Sequence, residues 1–110
     1  MTTDTTYAYT GTFSLGSSTT GPSYNLFSCE CVAIQVSFSA GIIGTMSVEI
    51  SLDGTNYDTL NGSTVAIKNS DTTKVWVSGG LSAVANWRIR WARTSGSGTA
   101  TVTVTGIHQE

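Results

Sequence analysis

The chain has 110 residues, a formal net charge of −2 and 11% charged residues, against roughly 25% in an average globular domain. That length fits one domain. No apolar run is long enough for a membrane-spanning helix, and an acidic balance weakens binding driven by nucleic-acid phosphates. Nineteen Thr and fifteen Ser supply small hydroxyls in place of charge. Thr favours strands and Ser favours turns, and a surface built from them repels a copy of itself only weakly.

The first residues, MTTDTTYAYTG, lack the basic and apolar regions of a signal peptide, so synthesis in a cytoplasm is the expectation. Residues 1–10 read as an N-terminal arm and residues 11–110 as a single β domain. Tyr7, Tyr9, Gly11, Phe13 and Leu15 share one face of a first strand, which ends in the turn-rich GSSTTGPS around Pro22. SYNLF is a short strand. In CVAIQVSFS, Val32, Ile34, Val36 and Phe38 point one way.

After Ala40-Gly41, Met46, Val48, Ile50 and Leu52 form an apolar face, with Ser47, Glu49 and Ser51 opposite. Asp53-Gly54 then reads as a turn. YDTL and TVAI flank the Asn61-Gly62 turn, KVWVS is a strand, and Gly79-Gly80 is a break. NWRIRWAR places Trp87, Ile89 and Trp91 inward and Arg88 and Arg90 outward. TATVTVTGI returns with Ala100, Val102 and Val104 inward. About eight or nine short strands with short connections predict an all-β fold: an antiparallel, jelly-roll-like β-sandwich. Its expected core comprises Val32, Ile34, Val36, Phe38, Met46, Val48, Ile50, Trp87, Ile89, Val102 and Val104.

Candidate chemistry is sparse. Asp53, Asn56 and Asp58 offer oxygens to a calcium ion, but without the ligand order and distal Glu of a calcium loop, so a turn is the simpler reading. The single histidine, His108, stands near the C-terminus and is expected in solvent rather than beside a nucleophile. Cys29 and Cys31 lie on one face of any strand. They are expected as small buried or half-buried thiols, too few with one His to hold zinc. The acidic residues are scattered, and no catalytic residue, cofactor or metal site is expected. Trp76, Tyr57 and Tyr24 are the aromatic side chains that a sugar-binding module would expose.

SVEISLDGTNYDTL followed by NWRIRWARTSGSGTATVTVTG resembles small β-sandwich structural proteins of tailed bacteriophages, most closely capsid decoration (cement) proteins. The stretch is also similar to discoidin-type and jelly-roll modules of virion and tail proteins. The resemblance covers about residues 43 to 107 and implies a non-enzymatic virion protein that binds the outer capsid surface and stabilises the shell. It implies assembly as dimers or trimers with the major capsid protein as partner. Sheet edges with few Lys and Glu to guard them add the expectation of a homo-oligomer, a trimer favoured over a dimer, and charge and hydropathy that of no nucleic acid or membrane. The capsid surface of the virion is the implied location. Tyr7 and Tyr9 on the arm, or Arg88 and Arg90 on the arginine face, are the expected contacts. The alternative is a carbohydrate- or host-receptor-binding module of a phage tail or fibre.

Overall fold

Period-two alternation of apolar side chains runs through nearly the whole chain, and it buries one face of each strand only if two sheets close on each other. The computed structural model, which describes residues 4–79 and 83–109, has that form. The strands are β1 (Asp4–Ser14), β2 (Thr19–Thr20), β3 (Tyr24–Asn25), β4 (Cys31–Ser37) and β5 (Ile43–Ser51). They continue with β6 (Asp58–Thr59), β7 (Val65–Ile67), β8 (Thr73–Gly79), β9 (Asn86–Ser95) and β10 (Thr99–Gln109). Among the described residues there is no helix.

One sheet, here sheet A, runs β1-β10-β4-β8. In sheet B, β9 pairs β5; β2 and β3 line the far edge of β9, and β6 and β7 that of β5. All pairings are antiparallel. The chain is an all-β, jelly-roll-like antiparallel sandwich, with ten strands because several of the expected ones are split or very short. The segment expected as a turn holds β2, and only Tyr24–Asn25 of SYNLF pairs as a strand, after which the Phe27 amide donates to Asn25 Oδ1 at 3.1 Å.

Registers decide which face is core. Met46, Val48 and Ile50 stand opposite Trp91, Ile89 and Trp87 across β5 and β9, and Val36 and Ile34 opposite Val102 and Val104 across β4 and β10. All three indoles donate to carbonyls: Trp91 to Leu15 at 3.0 Å, Trp87 to Val84 at 3.3 Å and Trp76 to Ser63 at 2.7 Å. Burying these rings therefore leaves no orphan donor. Gly11 serves a close approach, since the Tyr24 hydroxyl lies where a Cβ at that position would sit.

Several expectations need correction. Ile50 is only half-buried, because its end of β5 borders an open hollow of about 360 Å³ lined also by Leu52 and Val84. Leu52 lies beyond the end of β5 and is 74% exposed. Ser47, Glu49 and Ser51, placed opposite the apolar face, are buried as well: β5 is central, Glu49 lies against Arg88, which stacks on Tyr57, and Ser51 lies against the Asp53 loop. Residues 4–10 of the expected arm belong to β1, paired with β10 from Asp4 to Ser14. Met1–Thr3 and Gly80, half of the expected break, fall outside the described residues.

Ile89→Ala should cost about 2–5 kcal/mol, as expected for a fully buried isoleucine. Ile50→Ala, beside the open hollow, should cost about 1–2 kcal/mol. Urea unfolding followed by tryptophan fluorescence measures both.

Candidate functional site

The outer face of sheet A follows from the strand registers. β1 presents Thr6, Ala8, Thr10, Thr12 and Ser14, and β10 presents Ile107, Thr105, Thr103, Thr101 and Thr99 beside them. β4 adds Cys31, Ala33, Gln35 and Ser37, and β8 adds Val77, Val75 and Thr73. Among the described residues, from Thr6 on β1 across to β8, no charged residue interrupts this array; Asp4 stands at its end. Val75 and Val77 are 58% and 71% exposed. The face is one of methyls and hydroxyls: covering its methyls is favourable, and each hydroxyl that is covered needs a hydrogen-bond partner.

Sheet B presents the opposite character. On its outer face Arg88 and Glu49 stand across from each other, as do Arg90 and Ser47. Arg88 Nε donates to Glu49 Oε1 at 2.9 Å, and its guanidinium lies 3.6 Å from the centre of the Tyr57 ring. The Tyr57 and Ser23 hydroxyls are 2.7 Å apart. Glu49 is thus a buried acid matched by an arginine, and the stacked tyrosine holds that arginine in place. Arg88 is engaged within the chain, whereas Arg90 is exposed.

Tyr7 and Tyr9 stand on the inward-facing side of β1 at the edge of sheet A, each 37% exposed, with the Tyr9 ring 5.8 Å from that of Tyr24. The four residues singled out as contacts therefore form no single patch. The arginines lie on sheet B and the tyrosines on an edge of sheet A. The threonine ladder of β10 escaped notice because inward alternation of Val102 and Val104 explains the same residues. Its outward partners gain meaning only once β1 and β4 flank them.

The Asp53 loop is a self-capped turn. Asp53 Oδ1 accepts from the Thr55 and Asn56 amides at 2.8 Å each and from Ser51 Oγ at 2.9 Å; Oδ2 accepts from Asn56 Nδ2 at 2.8 Å. Those bonds, the backbone ones first, hold its carboxyl far below the usual carboxylate range. Gly54 supplies the positive φ of +77° that the turn requires. Its oxygens are committed to the loop's own donors. Asn56 is drawn into the same network, and Asp58 Oδ1 accepts from the Thr59 amide.

The remaining candidates are dispersed. Cys29 is buried in the turn before β4, its sulfur beside Gly106, and burial raises its thiol pKa. Cys31 begins β4 and is exposed on the outer face of sheet A, so the two do not share a face. His108 is not free in solvent: it is half-buried and Nδ1 donates to the Ser28 carbonyl at 2.9 Å. Among the described residues no group of three His, Cys, Asp or Glu side chains is placed to hold a metal. Tyr24 is buried, Tyr57 lies under Arg88, and Trp76 is half-buried. A gap of about 180 Å³ opens between the sheets beside β8, walled by Ile34, Val48, Leu60, Trp76 and Trp87 with Asn61 and Ser78 among its polar lining residues.

No family model matches the chain, and no curated protein matches its sequence. Its fold is shared with solved structures. The SPBc2 prophage-derived protein YomS superposes with a TM-score of 0.66 at 12% identity, over 94% of this chain and 95% of that one. The decameric BFDV capsid protein gives 0.62 at 9% identity, over 99% and 98%. A structure described as "CBM4 structure and function" gives 0.55 at 13% identity, over 79% of this chain and 60% of that one. At these identities the likeness is one of fold: the antiparallel β-sandwich found in viral structural proteins and in binding modules.

Removing either partner of the Glu49–Arg88 pair should destabilise the fold, and a double-mutant cycle of Glu49→Gln and Arg88→Met should give a coupling of about 1–3 kcal/mol. The Asp53 loop carries a pH dependence. Its carboxyl is depressed in the folded state, so its contribution is complete above the unfolded value and is lost as pH falls through the folded one. Amide-exchange protection at Thr55 and Asn56 should stay level from neutral pH to about 4 and decline below that. Asp53→Ala should remove the protection at every pH.

Proposed function

We propose that this chain is a virion structural protein, a capsid decoration (cement) protein that binds the outer capsid surface as a homo-oligomer and stabilises the shell. The observation that carries this reading is the division of the molecule. Glu49, Arg88 and Arg90 stand on the outer face of sheet B, while from Thr6 to Ser14 on β1 and on the strands beside it the outer face of sheet A carries no charged residue among those described. Such a face suits broad contact with another protein and lacks the convergent polar groups of a catalytic cleft. The shared fold with a prophage-derived protein and a viral capsid protein supports the same class.

In this reading the outer face of sheet A docks on the major capsid protein. Tyr7 and Tyr9, at the edge of that sheet, meet a neighbouring copy in a trimer. Arg88 serves Glu49 and Tyr57, which leaves Arg90 as the exposed cation of the arginine face and the rival docking contact. The carbohydrate-module alternative draws on the fold alone, since its three candidate aromatic platforms are buried or engaged.

The test uses particles lacking this protein. The wild-type chain should bind them and raise the temperature at which the shell opens. Thr103→Lys with Val77→Glu should lose binding, while Arg90→Glu should keep it. Loss with Arg90→Glu alone would move docking to the arginine face, and absence of wild-type binding would reject the decoration role.

A further inference from the structure

We propose that the two edges of sheet A are complementary and join copies of this chain edge to edge, β8 of one copy pairing with β1 of the next. This rests on the homo-oligomer reading above and specifies its contact. Both strands end their sheet, so each has one row of backbone donors and acceptors without a strand partner. Among the described residues neither edge is guarded. From Thr5 to Ser14, β1 has no charge and no proline, and it pairs with β10 without a bulge. β8 carries one charge, Lys74, which is matched by Asp71 at 3.4 Å.

Strand direction supports the joint. β1 and β4 run one way, β10 and β8 the other. A second copy in the same orientation therefore brings its β1 alongside β8 antiparallel, and the alternation continues through both molecules. With Tyr9 opposite Trp76, all seven residues of β8 find partners from Thr6 to Thr12. Val77 then meets Ala8 and Val75 meets Thr10 on the outer face, extending the uncharged surface. Lys74 meets Gly11, so no charge faces a charge.

On the inward side Tyr7 falls opposite Ser78, at the inter-sheet gap of about 180 Å³. An engineered apolar cavity of about 150 Å³ holds benzene, so a phenol ring fits this one, and Asn61 and Ser78 can meet its hydroxyl. One edge thus offers a half-exposed aromatic side chain, and the other a space of matching size and chemistry.

The area fixes the kind of assembly. Seven residues span roughly 23 Å, and a sandwich edge is about 20 Å deep, so one joint buries roughly 900 Å² in total. Stable pairs bury about 1,200 Å² or more. A single joint is weak. Closure into a ring, in which each copy uses both edges, makes the assembly stable.

The experiment is cysteine cross-linking in a Cys31→Ser background, which leaves only the buried native thiol. Cross-strand pairs approach within disulfide range. Oxidised Ala8→Cys/Val77→Cys protein should form a covalent ladder on a non-reducing gel, ending at the ring number. Each single variant should stay monomeric, and a mixture of the two singles should give dimers only. Both positions are exposed, and unchanged tryptophan fluorescence verifies the fold. Ser78→Phe, which fills the gap, should move the assembly midpoint in sedimentation at least tenfold to higher concentration, and so should Tyr7→Ala, which removes the ring. An oligomer by light scattering with no cross-link from the double variant would overturn the joint and leave the homo-oligomer reading standing. Cross-linked dimers from either single variant would also overturn it, since they mark a two-fold contact. A chain that stays monomeric at every concentration would end both.

Discussion

The pairing of β5 with β9 carries the rest of the structure. Across that ladder Met46, Val48 and Ile50 stand opposite Trp91, Ile89 and Trp87, so two tryptophans and their partners form one wall of the core. A side-chain period of two leaves no freedom about the other face: a slip of one residue would bury Arg88 and Arg90 and expose both indoles. The register that places Trp91 beneath Leu15 therefore also sets Glu49 against Arg88. The ion pair is a consequence of the core.

From that constraint the two faces of the molecule diverge. The outer face of sheet B lies beneath the loop that leaves β5, and there a buried acid, an arginine and a stacked tyrosine hold the loop to the sheet. The Asp53 network then closes the loop on itself. Among the described residues no element crosses the face of sheet A in the same way, and its exposed positions are mainly threonine, serine, alanine and valine, with Cys31, Gln35 and Ile107. Burying a hydroxyl costs less than burying a charge, provided that it finds a hydrogen-bond partner. The ion pair, the stacked tyrosine and the Asp53 turn brace sheet B from outside.

Most connections cross from one sheet to the other, so few strands that are consecutive in the chain are neighbours in space. β1 and β10 pair along their full length from opposite ends of the sequence. This brings the N-terminal strand to an edge and leaves β8, from the interior of the chain, at the other. It is also why residues 4–10, polar and free of turn signals, read as an arm: what makes them a strand is a partner almost a hundred residues away.

The sequence by itself determined the fold class and much of the core, although Leu26, Ile42 and Ile67 are buried without a signal that marked them and Tyr24 is buried rather than exposed. Alternation at Val32–Phe38, Trp87–Trp91 and Ala100–Val104 is a local property, and each strand states its inward face without reference to a partner. The Asp53-Gly54 turn was legible for the same reason, since its bonds stay within a few residues. Only the tertiary structure decided which strands are edges, and that decision changed the meaning of several residues. Ser47, Glu49 and Ser51 are buried because β5 is central. Ile50 and Leu52 are more exposed than their pattern implies, because they stand where the sandwich opens. Arg88 is engaged because the Tyr57 loop folds over it, and the threonines of β10 form a surface because β1 and β4 lie beside them. Burial on the second face of a strand depends on neighbours contributed by distant segments, and alternation along one strand carries no information about them.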